Sequence, residues 1–277
     1  MAAAPSPAPH ADAPPAGSAA RAVANRNSAL VVLDVLVDAF FPYRGLAPER
    51  PEELGRDAFV RDLDRIGYVR LAARRAAPRG ARDLALVFVL APEGRYSRHT
   101  PDLRKLLEGG LHHPAVKAGQ LDELVLVADD GFFERAALLE LVEDYRARLG
   151  EVRGADVAGR GPFVSVRPYR NFVTDIPRCR AVHPHALMTP AQVEEHLAWH
   201  RLRRADLPAI QDDDPPVVWL GGREGQCVRV ERASETAGRA VVVRRVIRAP
   251  APSDTKARAA GRGGPAADKG EPREAHD

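Results

Sequence analysis

HPHALMTPAQVEEHLAWHRLRRADLPAIQDDDPPVVWLGGREGQCVRVERASETAGRAVVVRRVIR, residues 183–248, is the stretch that decides how this chain is read. It opens on a helix with an explicit start signal. Thr189 is an N-cap type, Pro190 suits the first helical position because its missing N–H needs no partner there, and Gln192 completes a Thr-x-x-Gln capping box. Met188 and Val193 stand where a hydrophobic staple needs them, and Leu197 continues the buried stripe. Beyond the helix come Leu207-Pro208-Ala209-Ile210, an acidic-proline turn at Asp212–Pro216, and VVWLG (217–221). Val228 and Val230 then alternate with Arg229 and Glu231, the period of a half-buried strand. Residues 233–239 read as a polar turn, since the Ser234 and Thr236 hydroxyls can bond local backbone and Gly238 accepts a positive φ. Val241–Val243 with Val246-Ile247 reads as the returning strand.

This order of residues resembles the assembly domain of RNA polymerase subunit five, which is shared by the three eukaryotic nuclear polymerases and has an archaeal equivalent. The matching positions are His185, Leu187, Thr189, Leu207, Pro208, Ile210, Asp214, Pro215, Gly221, Gly225, the block Ser234-Glu235-Thr236-Ala237-Gly238-Arg239, and Arg244. The chain departs from the family pattern at five places. Cys179 stands for a histidine, Asp206 for a glutamine, Ala209 for an arginine, and Ala240 and Val243 for two tyrosines.

Working outward, Asn27 or Ser28 can cap a helix NSALVVLDVLVDAFF, with Asp34 and Asp38 on one face and Leu30, Leu33, Val37 and Phe40-Phe41 on the other. Pro42 helps end it, and Arg44-Gly45-Leu46 resembles the turn that closes the first helix of the eukaryotic family. A second helix is expected from near Pro51. Tyr68–Ala72 and Leu84–Leu90 read as a hairpin around a turn at Arg74–Gly80, the second strand being apolar on both faces and therefore central. Thr100-Pro101-Asp102 starts a short helix. Glu123–Ala128 is a strand, Asp129-Asp130-Gly131 a turn, and a helix runs on to Gly150. PFVSVRP and NFVTDIP (162–168 and 171–177) read as further strands. This succession resembles the jaw domain that the eukaryotic protein carries before its assembly domain and that the archaeal equivalent lacks. The fold class expected is therefore α+β: a jaw-like α/β domain with a small mixed sheet over residues 27–180, then a small α+β assembly domain over 181–248. The tails, 1–26 and 249–277, have the Ala, Pro, Gly and charged composition of disordered segments.

Composition sets outer bounds. A net charge of +3 over 277 residues does not by itself argue for nucleic-acid binding. Lys105, Lys117, Lys256 and Lys269 are the only lysines, the other cations being arginines. Cys179 and Cys227 supply neither a disulfide framework nor a zinc motif and fit a reducing compartment. No run reaches the roughly 18 apolar residues of a membrane span, and the N-terminus lacks a signal-peptide layout, so an intracellular, soluble protein is expected.

Several groupings of polar residues invite a chemical reading, and most have a structural one. His112-His113 and His183-Pro184-His185 have no Cys or carboxylate at a spacing that closes a four-ligand metal site. The family match instead gives His185 a hydrogen-bonding role in a turn. Asp212-Asp213-Asp214 suggests magnesium but runs into Pro215 as a turn would, and Gly221-Gly222 and Gly225 lack the spacing and lysine of a phosphate loop. A nuclease site is not formed around Asp102, because Glu123–Ala128 holds no Glu-x-Lys and Lys105 lies on the same short helix. Arginines are plentiful, notably Arg74-Arg75, Arg95, Arg98, Arg167, Arg170, Arg178, Arg180, Arg201 and Arg203-Arg204; a jaw beside DNA could set some of them against phosphates without reading sequence, though each taken singly reads as solvated surface charge.

The resemblance implies a non-catalytic subunit of a DNA-directed RNA polymerase, with no catalytic, cofactor-binding or metal-binding residues of its own. It implies docking on the largest subunit and contact with other polymerase subunits. The jaw is expected beside downstream duplex DNA, touching it by non-specific proximity, with no membrane and no small-molecule substrate as partner. The location would be the nucleus, or a viral factory or virion if the source is a large DNA virus. The alternative is a free-standing transcription adaptor that binds polymerase without being a core subunit.

Overall fold

The computed structural model describes residues 27–49, 55–79, 82–92, 100–111, 113–153, 162–234 and 238–249. Both composition-biased tails, apart from Ala249, lie outside these residues. Helix α1 covers residues 27–43 and contains a π-helical segment, Leu36–Phe40. Strand β1 (Leu46–Pro48) follows the turn at Gly45, whose φ of +63 fits glycine. Helix α2 is Arg56–Ile66, later than the start expected near Pro51, although 50–54 lie outside the described residues.

Strands β2 (Tyr68–Arg79) and β3 (Arg82–Leu90) form the expected hairpin, but Arg74 and Arg75 belong to strand rather than turn. The reason is electrostatic. Arg74 lies against Glu49 and Asp83, and Arg75 against Asp122, so both guanidiniums have carboxylate partners on neighbouring segments. Helix α3 (Thr100–Leu111), α4 (Pro114–Lys117), β4 (Leu121–Ala128), α5 (Asp130–Phe133), α6 (Ala136–Arg153) and β5 (Phe163–Pro168) complete this half. Asp129 caps α5 by accepting from Phe132 N–H, so the predicted turn is the start of a helix.

The first sheet runs β1-β2-β3-β4-β5, antiparallel among its first three strands and parallel among its last three, which makes it mixed. Strand β3 is central and buried on both faces. Leu84, Leu86, Phe88 and Leu90 pack with Leu103, Leu107, Leu138 and Val142 on the α3/α6 side. Ala85, Val87 and Val89 pack with α1 and α2 on the other.

NFVTDIP is not a strand. It holds two 3-10 turns, Tyr169–Phe172 and Ile176–Arg178. Pro177 lacks a ladder donor, Asn171 and Phe172 are both buried although adjacent, and Asp175 accepts from Arg178 N–H instead.

The second sheet has the order β6-β8-β9-β7, with β6 His185–Leu187, β7 Ala209–Gln211, β8 Cys227–Ser234 and β9 Gly238–Ile247. It too is mixed, since β7 runs parallel to β9. Helix α7 (Pro190–His200) covers one face through Val193 and Leu197. Its capping box forms in full, with Gln192 N–H donating to Thr189 Oγ1 and Thr189 N–H to Gln192 Oε1. The acidic-proline turn narrows to Asp212-Asp213, because α8 (Pro215–Leu220) starts at once, with Asp214 as N-cap and Pro215 at the first position. Val217 of α8 packs with Ile210, Val228, Val230 and Val246 on the opposite face.

Candidate functional site

The motif residues separate into three places. His185 and Leu187 lie on β6, paired with Val230 and Val228, and the rung Val228↔Arg244 puts Arg244 on the same face. Asp214 stands above that face. Burial raises its carboxyl above the ordinary range and Asp213 adds to this, while His185 and Arg244 pull in the opposite direction. His185 Nδ1 is 2.5 Å from His183 O, and Arg244 Nη1 donates to Ala209 O at 3.1 Å. Ile210 is buried beneath this face, and Pro208 O accepts from Arg245 N–H.

Leu207 belongs to the other face, packed with Val193, Leu197, Cys227 and Val243, and Thr189 caps the helix there. The third place is the hairpin end, where Ser234 pairs with Gly238 (φ +68) and the exposed Arg239 lies 3.6 Å from Glu231. Glu235, Thr236 and Ala237 lie outside the described residues. Among the replaced positions, Cys179 is partly exposed, Asp206 is paired with Arg203, Ala209 faces solvent on β7, and Ala240 and Val243 sit on β9, Val243 being buried.

A junction between the two halves escaped the sequence reading. Trp219 of α8 is fully buried in the α1 layer, edge-on to Phe40, and its Nε1–H donates to Asn171 O at 2.8 Å. Burying an aromatic of this size contributes roughly 2–3 kcal/mol. Arg44 follows α1, lies over the Phe40 ring, donates to Val218 O at 3.4 Å and pairs with Glu123 of β4, both side chains being 5% exposed. Gly221 caps α8 with φ +68 directly beside this guanidinium, where an added Cβ would lie 2.5 Å from Arg44 Cζ.

Asp122 sits between Arg75 and Arg223. Burial raises its carboxyl, but the Arg223 and Arg75 charges outweigh that and hold it below the usual range. Arg167 is 6% exposed and lines a cavity of about 10 Å³ with Glu123, Ser165 and Gly221, room for about one water. The available signal was a carboxylate, Glu123, inside a strand apolar on both faces.

The arginines singled out for phosphate contact fare unequally. Arg74 and Arg75 are held in internal pairs and Arg167 is buried, so none of these three presents a free charge. Arg170, Arg178, Arg203 and Arg204 pair with Asp130, Asp175, Asp206 and Glu194 at the surface, where a pair is worth little and exchanges easily. Arg95 and Arg98 lie outside the described residues.

Comparison with known proteins gives one consistent result. The family model of the RNA polymerase Rpb5 C-terminal domain matches residues 174–246. A DNA-directed RNA polymerase RPB5 homolog of African swine fever virus (isolate Tick/Malawi/Lil 20-1/1983) is 33% identical over 193 residues, 70% of this chain and 85% of the relative. Its counterpart in the Badajoz 1971 Vero-adapted strain is 32% identical over the same length. The subunit RPABC1 of DNA-directed RNA polymerases I, II and III from Caenorhabditis elegans is 39% identical over 76 residues, 27% of this chain and 36% of that one.

Proposed function

Because the chain belongs to the RNA polymerase Rpb5 family, we propose that it is a non-catalytic subunit of a multisubunit DNA-directed RNA polymerase. The observation that carries this is the length of the viral match. A match of 193 residues is far longer than the stretch 174–246, so it is not confined to the second sheet, which supports reading the first as part of the same subunit. The second sheet docks on the largest subunit through the face bearing His185, Asp214 and Arg244 and through the hairpin end at Ser234–Arg239. The first sheet forms the jaw beside downstream DNA, where exchangeable surface arginines such as Arg170 are available to phosphates. No acid, base or nucleophile is assigned to it. It acts where its polymerase acts, in the nucleus or, as the swine fever virus relatives suggest, in a viral factory or virion.

Affinity purification of the tagged full chain from its native setting, with quantified stoichiometry, tests this. The expected result is co-elution with the two large catalytic subunits at about one copy each. Recovery alone, or with polymerase in small and variable amounts, overturns the reading in favour of an adaptor.

A further inference from the structure

We propose that the outer edge of β9, from Arg239 to Val243, is a strand-addition site for an extended segment of the polymerase's largest subunit, with an acidic residue opposite Arg239 and an apolar one opposite Val241. This rests on the polymerase-subunit reading above. The backbone direction follows from two hydrogen bonds. Arg245 N–H donates to Pro208 O on the β7 side, whereas Val246 N–H donates to Gln226 O on the β8 side, both at 2.8 Å. Successive residues of a strand point their backbone groups to opposite sides. Arg239, Val241 and Val243 therefore direct N–H and C=O away from β8.

Strand β7 pairs only with Arg245, Val246 and Ile247. Among the described residues, no strand covers that side from Arg239 to Val243. The β8/β9 register runs without a shift from Cys227↔Arg245 to Ser234↔Gly238, so no bulge twists the edge away. Natural edges are blunted by prolines, charged side chains (lysines above all) or bulges. From Arg239 to Val243 the edge holds no proline or bulge and one charge, Arg239 at its end, while residues 240–243 are all apolar and Val241 is 53% exposed.

Main-chain bonds supply affinity in strand addition and alternate side chains supply specificity. Arg239 and Val241 share one face. The Arg239 side chain is 83% exposed and only loosely paired with Glu231, which leaves it able to meet a carboxylate. A second copy of this chain is a poorer occupant, because two such short edges bury far less than the roughly 1,200 Å² of a stable interface. As one part of a larger docking surface, the same edge fixes register.

Amide hydrogen exchange on the full chain, alone and in polymerase reconstituted with the two large subunits, tests the proposal together with Val241→Pro and Arg239→Glu. In the free chain the outward Val241 amide should exchange at least about 100-fold faster than the inward Val242, and incorporation should slow Val241 about 10-fold or more. Proline at 241 removes an outward donor and spares the β8 ladder, so V241P should fold yet enter polymerase at about a tenth of the wild-type level or less. R239E should fold and also assemble poorly. Should V241P not fold, R239E and the wild-type exchange decide the matter. Normal incorporation of a folded V241P, or Val241 protection already present in the isolated chain, overturns the edge proposal and leaves the polymerase-subunit reading intact. Failure of the wild-type chain to enter polymerase at all overturns that reading instead.

Discussion

Replacing Gly221 with alanine should cost far more than the same change at Gly225, although both glycines have positive φ, +68 and +82. The backbone term is common to the two sites. A left-handed conformation costs an L-residue about 1–2 kcal/mol. What differs is the space, since a Cβ at Gly225 meets nothing within 4 Å, whereas at Gly221 it meets the Arg44 guanidinium. Arg44 cannot step aside without leaving Glu123, and breaking a buried pair costs about 3–5 kcal/mol because one charge stays behind. The expected totals are about 4–7 kcal/mol for G221A and about 1–2 for G225A. Urea denaturation followed by circular dichroism should separate their midpoints by on the order of 1–2 M. In an Arg44→Met, Glu123→Met background the gap should shrink to less than about 1 kcal/mol, since the obstacle is gone. Equal costs in the wild-type background would refute the reasoning, because they would mean that Arg44 moves away freely.

Asp122, held below the ordinary carboxylate range in the folded chain, contributes stability that is present above the unfolded value and lost as pH falls through the folded one. Asp122→Asn should therefore destabilise by about 1–3 kcal/mol at pH 7, with the difference from wild type fading below about pH 4; a difference independent of pH from 7 to 3 would exclude a charge role. The two tryptophans differ completely in exposure, Trp199 at 83% and Trp219 at 0%. Acrylamide should quench only part of the emission, and W199F should remove the quenchable part while leaving the protected one; uniform quenching in the wild-type chain would argue against a buried Trp219.

Features readable in the sequence were those fixed over a few residues. The Thr189 capping box, the Met188/Val193 staple and the two-sided β3 need only local chemistry and a period. The junction was hidden because its partners come from distant segments, Arg44 with Glu123 and Trp219 with Asn171. A short apolar run such as 217–220 carries no period long enough to distinguish helix from strand, so Pro215–Leu220 is decided by its proline start and by Gly221. Local reading also treats every arginine as surface charge, and it could not see that Arg75 would be held by Asp122 or that Arg167 would be buried.

The π segment Leu36–Phe40 gives the first helix a spare residue. A π turn holds one residue more than an α turn and takes it up locally, so the segments on either side keep the phase of an uninterrupted α-helix. Phe40 and Arg44 meet Trp219 and Glu123 in that phase. Excising the exposed Asp38 could therefore close the helix without turning its later face from its partners, whereas a deletion in the α-helical residues before Leu36 would rotate everything after it by about 100°. The wide turn works as slack in the residue count, and a single-residue deletion inside it should be tolerated better than one a turn earlier.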